Sequence, residues 1–390
     1  MILILGGGLS GSLLAYKLNQ LSPTPEFLLI ESRATFSNQH TWSFHHTDLA
    51  ESSYEWITPL ISHSWDRQDV HFPELSRTLD VGYHSIRSYE FSEKMVSTLK
   101  NRILLGDTVT EISSEGRVTL ASGKSFQASI IFDARGLKSS LIPASGYQKF
   151  LGLDIELTNQ HELEHPIIMD ARCTQGEGFK FFYLLPWSRQ SLLIEATCYS
   201  NDSEFNSEQY QNEIEQYCTD RSWKIKQVLR TEQAALPIPF RRDLIQNDHP
   251  KIIRIGMLGG YFHYTTGYSL PLAVKVSEVI AQTVQQTNWD IEHIQKALSL
   301  VSKPIHKQAL FFSTLNRMLF LACKPENRTQ IFSRFYHFNS GLISRFYRGS
   351  LTGMDQLRIL IGKPPVPLFA GLKHALDSKT TQCSWERSLK

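Results

Sequence analysis

The chain is poor in cysteine: Cys173, Cys198, Cys218, Cys323 and Cys383 are five among 390 residues, far apart and odd in number. No Cys-x-x-Cys pair occurs, which argues against a zinc ribbon or a disulfide framework and for a reducing compartment. Long apolar runs are missing too, and none approaches the roughly 18 residues of a membrane-spanning helix. The sequence opens directly in the apolar Met1–Leu5 and then in glycines, so the expectation is a cytosolic protein without a signal peptide. His40, His45, His46, His63, His71 and His84 match no zinc spacing, no Glu-x-x-His set completes one, and no metal is expected. Ser10 and Ser12 lie beside glycines, but not in the spacing of a Gly-x-Ser-x-Gly nucleophile elbow. Net charge is nearly absent, at +2, yet it is unevenly placed. Between Leu300 and Ala375, eleven Lys/Arg face only Glu326 and Asp355, so this stretch carries +9 and the remainder −7. A basic, Phe/Leu-rich stretch reads as a surface for anionic lipid or nucleic acid; with no nucleic-acid motif beside it, lipid is favoured.

What the chain does hold is a globular composition, 41% hydrophobic and 20% charged, over a length that suits a two-domain enzyme. Residues 1–34 read as strand, turn, helix and strand. Met1–Leu5 is a buried strand, Gly6-Gly7-Gly8-Leu9-Ser10-Gly11 the turn, Leu13–Leu18 part of the helix, and Phe27–Ile30 the second strand, closing on Glu31. In this spacing Gly6 makes the tight turn, Gly8 lets the backbone approach a pyrophosphate, and Gly11 lets helix and strand pack closely. An acid ending the second strand binds ribose hydroxyls, and Glu31 stands 20 residues after Gly11. The set points to a dinucleotide, either FAD or NAD; the alternative is a glycine turn without a ligand. A second segment, Ile255–Pro271, carries Gly256, Gly259, Gly260 and Gly267 between an apolar stretch and the apolar pattern Leu270–Val284. That order predicts a strand, a turn and a helix start, whose free N–H groups and positive dipole end suit a phosphate. Ser125–Asp133 reads as one strand closing on Asp133-Ala134-Arg135-Gly136, a turn that either meets the dinucleotide or simply ends a strand.

Residues 35–90 show no long period and read as loops and short helices around a site. From 151 to 240 the pattern turns to β, with two strands, Gly178–Pro186 and Ser191–Ser200, and a helix at Ser207–Asp220. Glu232–Phe240, with two prolines, reads as an extended edge. Residues 1–150 and 241–290 thus form a discontinuous dinucleotide-binding unit, and 151–240, with contributions from 35–90, a β-rich substrate unit. Residues 291–377 form a basic helical region and 378–390 a polar tail. Alternation along Ser191–Tyr199 sets Leu193, Glu195, Thr197 and Tyr199 on one face and Leu192, Ile194, Ala196 and Cys198 on the other. On a dry face the Glu195 carboxyl keeps its proton and can serve as an acid near neutral pH; the plainer alternative is an exposed or ion-paired glutamate. The helix Ala309–Cys323 also has two readings, one in a membrane interface and one in an ordinary core.

These segments resemble, in order and over nearly the whole chain, the bacterial FAD-dependent lycopene β-cyclases. His40-Thr41-Trp42-Ser43-Phe44-His45, Gly82-Tyr83-His84-Ser85-Ile86 and Leu193-Ile194-Glu195-Ala196-Thr197 are similar to family segments. So are Leu236-Pro237-Ile238-Pro239, Phe262 through Ser269, and Gly362-Lys363-Pro364-Pro365. The resemblance implies a mixed α/β fold, with a Rossmann-like FAD-binding domain of the p-hydroxybenzoate-hydroxylase-like type, an inserted β-rich domain and a helical C-terminal region. It implies reduced FAD held at Gly6, Gly8, Gly11 and Glu31, with the turns at Asp133 and at Gly259, Gly260 and Gly267 closing on it, and NAD(P)H as electron donor. It implies lycopene and related linear carotenoids as substrates, closed to β-rings without net redox change, with Glu195 as the acid–base residue. A peripheral place on the cytoplasmic membrane surface follows from so apolar a substrate.

The chain departs from the family pattern twice. Ala196 stands where many relatives carry a second acid, and Tyr264 where most have proline. Two rival functions remain open on the residues: a flavin hydroxylase or reductase of another apolar isoprenoid, and a membrane-bound carrier. The stretch Gly259–Gly267 lacks the Gly-Asp of many flavin hydroxylases, which counts against the first.

Overall fold

Short strands that are apolar on both faces build a parallel sheet at the start of the chain. In the computed structural model, residues 1–36, 40–136, 145–176, 178–241, 249–287 and 289–361 are described. The parallel sheet contains β1 (Ile2–Leu5), β2 (Phe27–Glu31), β8 (Ile103–Leu105), β12 (Ile130–Asp133) and β18 (Ile252–Arg254), in the order β18-β12-β1-β2-β8. Ile2, Ile4, Leu29 and Phe132 pack on α1 (Leu9–Asn19), α3 (Ser88–Leu99) and α5 (Leu270–Thr287). Leu3, Leu5, Ile30 and Ile131 face a small antiparallel sheet, β9 (Val109–Ile112), β10 (Arg117–Leu120) and β11 (Ser125–Gln127). A parallel sheet covered on both faces needs such two-sided strands.

The stretch read as one strand, Ser125–Asp133, is two strands in two sheets. β11 pairs antiparallel with β10, whereas β12 runs parallel to β1. The chain changes sheets at Ala128 and Ser129, whose N–H groups donate to Gly116 O and Met1 O. Residues 35–90 also depart from expectation. They hold β3 (Thr41–His45), α2 (Glu51–Ile57), β4 (His63–Trp65), β5 (Gln68–Phe72), β6 (Leu75–Leu79) and β7 (Tyr83–Arg87). These strands have three to five residues, and β5 finds a parallel partner about a hundred residues away in sequence, which local periodicity does not reveal.

The largest sheet has seven strands in the order β17-β13-β16-β15-β14-β5-β6. Its other members are β13 (Ser145–Leu157), β14 (Ile167–Asp170), β15 (Phe179–Pro186), β16 (Ser191–Ser200) and β17 (Ile225–Pro239). β13 starts at Ser145, ahead of the unit boundary expected at residue 151. β17 is an edge strand, where Pro237 and Pro239 cost no ladder bond on the open side. α4 (Ser207–Asp220) covers one face of this sheet through Tyr210, Ile214 and Tyr217.

The other face meets the C-terminal region, α6 (Ile291–Arg317) at β17 and the segments around α7 (Arg328–Phe335) and α8 (Ser340–Tyr347), after which α9 (Gly353–Leu360) follows. Within Ala309–Cys323, Phe312, Leu319, Phe320 and Leu321 are buried and Leu319–Leu321 pack on the seven-stranded sheet, as the core reading expects, while Leu310 is exposed. Part of the basic surplus lies inside the protein. Arg328 is fully buried and donates to the carbonyls of Leu319, Tyr199 and Phe320. Arg317 donates to Phe240 O, and Arg345 forms a two-pronged pair with Asp355. Lys303, Lys307, Lys324 and Arg358 remain exposed. Among the described residues no helix is long and apolar enough to cross a membrane. The Gly362–Pro365 segment, Lys363, Lys373, Cys383 and the tail 378–390 lie outside the described residues.

The tightest backbone approach in the parallel layer is Gly11 on Gly6. A Cβ on Gly11 would stand 2.0 Å from Gly6 O. Gly11→Ala is expected to destabilise the protein by about 1–3 kcal/mol, read as a lower urea midpoint; an unchanged midpoint would mean that the turn relaxes freely.

Candidate functional site

The carboxyl ends of β1, β2 and β12 converge on the Gly6–Gly11 turn, the place where open parallel sheets bind ligands. Gly6 has φ +100°, and a Cβ there would meet Ala134 O at 2.7 Å. The turn therefore lies directly against the Ala134-Arg135 backbone. Gly8 caps α1 without a side chain, and a Cβ on it would meet nothing within 4 Å. The first turn of α1 thus opens onto free space with no side-chain cap on its N–H groups, a setting for a phosphate. Glu31 Oε2 accepts from Gly7 N at 2.6 Å, and its Oε1 from Arg33 N at 3.0 Å. The carboxylate staples the turn and retains lone-pair capacity for a hydroxyl. Asp133 is buried, and both its oxygens are taken by Arg135, at 2.9 and 2.8 Å. Its carboxylate fixes the turn rather than facing outward.

The second glycine segment follows β18 as expected, in a short 3₁₀ turn, Gly256–Gly259, ahead of α5. Gly256 is the glycine that approaches the first turn: a Cβ on it would stand 2.7 Å from Ser10 Oγ. Gly260 faces Tyr264 and His306, and Gly267 faces Leu236 of β17. His263 anchors the segment, with Nε2 2.9 Å from Phe346 O on α8 and Nδ1 accepting from Thr265 N. Burial pushes this imidazole down to about 4, so it stands neutral with its proton on Nε2. Tyr264 is buried, stacks on Phe262 with centroids 4.6 Å apart, and its carbonyl accepts from Asn316 Nδ2 at 2.7 Å. Stacking and this bond hold the turn where a proline is expected in the family.

Glu195 stands on β16 opposite Tyr183 of β15 and Gly152 of β13, and Gly152 in turn stands opposite Glu232 of β17. Thr197 Oγ1 donates to Glu195 Oε1 at 2.7 Å. Glu232 accepts from Arg230 at 2.8 Å and Thr41 at 3.1 Å, and Arg230 also reaches Asp154 at 3.1 Å. Burial, then the neighbouring charge of Glu232, pushes the Glu195 carboxyl up to about 8; Thr197 and Arg230 only partly oppose them. Glu232 is raised less, to about 6, because burial is countered first by Arg230. Glu195 keeps some accessible surface despite its dry setting, so it borders an internal space. Ala196 points to the opposite face, under α4, as alternation requires. Sequence reading missed Glu232, because only the register across Gly152 brings it to Glu195.

A hydroxyl chain runs beside this pair. Tyr183 OH donates to Ser43 Oγ at 2.8 Å and lies 3.0 Å from Tyr83 OH. His45 and Asp48, missed as a pair, stand next to it, with the His45 ring edge-on to Tyr83 at 5.2 Å: Asp48 Oδ2 lies 3.2 Å from His45 Nδ1 and accepts from Tyr268 OH at 2.7 Å. Next to Tyr199, on the face of Glu195, opens an apolar cavity lined by Leu319, Phe332, Tyr336, Phe346 and Tyr347. Its cavity volume is about 150 Å³.

The family model for lycopene cyclase protein matches residues 2–373. The chain belongs to the lycopene cyclase family. It is 39% identical over 378 residues to a lycopene beta-cyclase of Pseudescherichia vulneris, covering 96% of this chain and 97% of that one. To a lycopene beta-cyclase of Pantoea ananas it is 38% identical, covering 95% and 97%. Among solved structures, a geranylgeranyl bacteriochlorophyll reductase-like protein of Thermoplasma acidophilum superposes with a TM-score of 0.65 at 12% identity, over 92% of this chain and 95% of that one. PqsL of Pseudomonas aeruginosa, described as a probable FAD-dependent monooxygenase, does so at 0.58 and 11%, over 86% and 99%. The fold is thus the one used by FAD-dependent monooxygenases and reductases, with a helical C-terminal region.

The raised carboxyl has a consequence for stability. Glu195 binds its proton more tightly folded than unfolded, where 4.5 is its ordinary value. Its contribution is therefore full below that value and is lost as the pH rises toward about 8. Glu195→Gln is expected to raise Tm over wild type more at about pH 9 than at about pH 5. An equal difference at both would place the carboxyl in a hydrated setting.

Proposed function

We propose that this family member is a lycopene β-cyclase that binds FAD and closes the linear ends of lycopene to β-rings by acid–base chemistry. The observation that carries the reading is a carboxyl, Glu195, kept protonated near neutral pH on a dry sheet face whose Tyr199, four residues further along the strand, lines an apolar cavity. FAD fits the cradle at β1, β2 and β12. The open space at Gly8 and the uncapped first turn of α1 suit its pyrophosphate, and Glu31 its ribose. Gly6 and Gly11 give the turn its shape, Asp133 holds Arg135 against it, and the loop containing Gly259, Gly260 and Gly267 closes over it. Bound and reduced, with NAD(P)H as the electron source, FAD supplies negative charge near a developing carbocation.

Glu195 gives its proton to the terminal double bond of the substrate. The neighbouring double bond attacks the resulting cation and closes a six-membered ring. A ring proton then leaves to form the β double bond, so one proton enters, one departs and no electrons are gained or lost. The aromatic lining of the cavity supports this role, since it excludes water that would quench a cation and offers ring faces to it. In this reading residues 1–150 and 241–290 carry the cofactor, and 151–240 with parts of 35–90 carry the acid. Residues 291–377 face the membrane that holds the substrate, on the cytoplasmic side. The exposed apolar Leu310, Met354, Leu357 and Ile361 support such a contact.

Purified protein with FAD, NADPH and lycopene in liposomes, kept free of oxygen, is expected to yield γ- and β-carotene. Glu195→Gln is expected to lower the rate by about 10²–10⁴-fold. A protein that carries FAD yet leaves lycopene unchanged would overturn the reading, as would NADPH consumption in step with oxygen and a hydroxylated product.

A further inference from the structure

We propose that Gly152 is a gap that lets the charge of Glu232 act on Glu195, so that the pair carries one proton, held on Glu195, making Glu232 the positioning residue for the acid. The inference rests on the reading of Glu195 as that acid and names what maintains its state. In a ladder, residues in register point the same way, and next-but-one strands lie about 9–10 Å apart. Glu195 and Glu232 occupy such positions, with Gly152 between them. Two glutamate side chains close that span only when nothing stands in the middle. A Cβ on residue 152 would stand 2.9 Å from Glu232 Cγ and 3.2 Å from both its Oε1 and Leu193 Cδ1, so Glu232 already lies over the glycine and shares that space with Leu193 of β16.

The groups around the pair leave room for one negative charge on it. From β17, Arg230 bonds Glu232 and Asp154; from β3, Thr41 donates to Glu232; and Trp187 donates to the far oxygen of Asp154. From β16, Thr197 donates to Glu195, and from β15, Tyr183 faces it across the ladder while its hydroxyl serves Ser43. Asp154, Glu232 and Glu195 are three carboxyls, and among the described residues Arg230 is the guanidinium bonded to two of them. The guanidinium nitrogens of Arg230 are taken by Asp154, Glu232 and Thr41, and the proton remains with Glu195. Two like charges this close in a dry setting do not coexist, which is how carboxyl pairs hold one proton between them. The second acid that the family carries beside Glu195 is Ala196 here, and Glu232 supplies a carboxyl partner from another strand on the correct face.

The test needs no substrate. Infrared titration of the FAD-loaded protein should show a protonated-carboxyl band that persists above neutral pH and is lost in Glu195→Gln. In Glu232→Gln, which keeps the shape and removes the charge, its midpoint should fall by about one unit or more. Gly152→Ala, which separates the carboxyls without removing either, should move it the same way. The alkaline limb of the cyclisation rate should shift down with the band, a change that loss of packing alone would not produce. A midpoint unmoved in folded Glu232→Gln overturns the pairing even if cyclisation persists and needs Glu195. A midpoint that moves in a protein that never cyclises lycopene upholds the pairing and overturns the functional reading instead.

Discussion

The pairing register of β13, β16 and β17 is the constraint on which the site depends. It aligns Glu195, Gly152 and Glu232 across three strands. A slip of one residue in β16 would turn Glu195 toward α4 and bring Ala196 to the inner face. The register is secured on both sides. Leu192, Ile194 and Cys198 are buried under α4, and Leu193 and Tyr199 in the core shared with the C-terminal helices. Hydrophobic burial, which has no chemical role of its own, thereby fixes the position of a carboxyl within the sheet.

The C-terminal helices take part in the same arrangement. Arg328 reaches the carbonyls of Tyr199 on β16 and of Leu319 and Phe320 in the turn after α6, so one buried cation joins the sheet to the helices that line the cavity. His263 ties the loop after β18 to α8 in the same manner, through a neutral imidazole. The Gly6–Gly11 turn, Glu195 and the cavity therefore belong to separate sheets and helices that are locked by buried polar contacts. Each contact satisfies a carbonyl that would otherwise be costly to bury.

Much of the cradle was legible in the sequence, because its determinants are local. A glycine that must have positive φ, such as Gly6, and one that must lack a Cβ, such as Gly11, lie within six residues of each other. The alternation that sets Glu195 apart from Ala196 is local as well, and the helices α3 and α4 and the hairpin of β15 and β16 follow from periodicity alone. What was not legible is pairing between distant segments. β5 joins β14 across the chain, the stretch before Asp133 divides between two sheets, and Glu232 meets Glu195 only through the fold. The place of the basic C-terminal surplus was legible only in part, for a related reason. Composition counts Arg317 and Arg328 as surface charge, whereas the fold uses them to bind carbonyls in the interior.

The two faces of β16 place unlike demands on sequence divergence. At positions 192, 194, 196 and 198 a substitution has to satisfy volume, since those side chains fill the space under α4. At 195, 197 and 199 it has to satisfy polarity and hydrogen bonding as well, since Thr197 bonds Glu195 and the Tyr199 hydroxyl bonds Gln148. A change at position 196 therefore meets the packing under α4 rather than the surroundings of Glu195. Along this strand, the odd and even residues answer to different selective pressures.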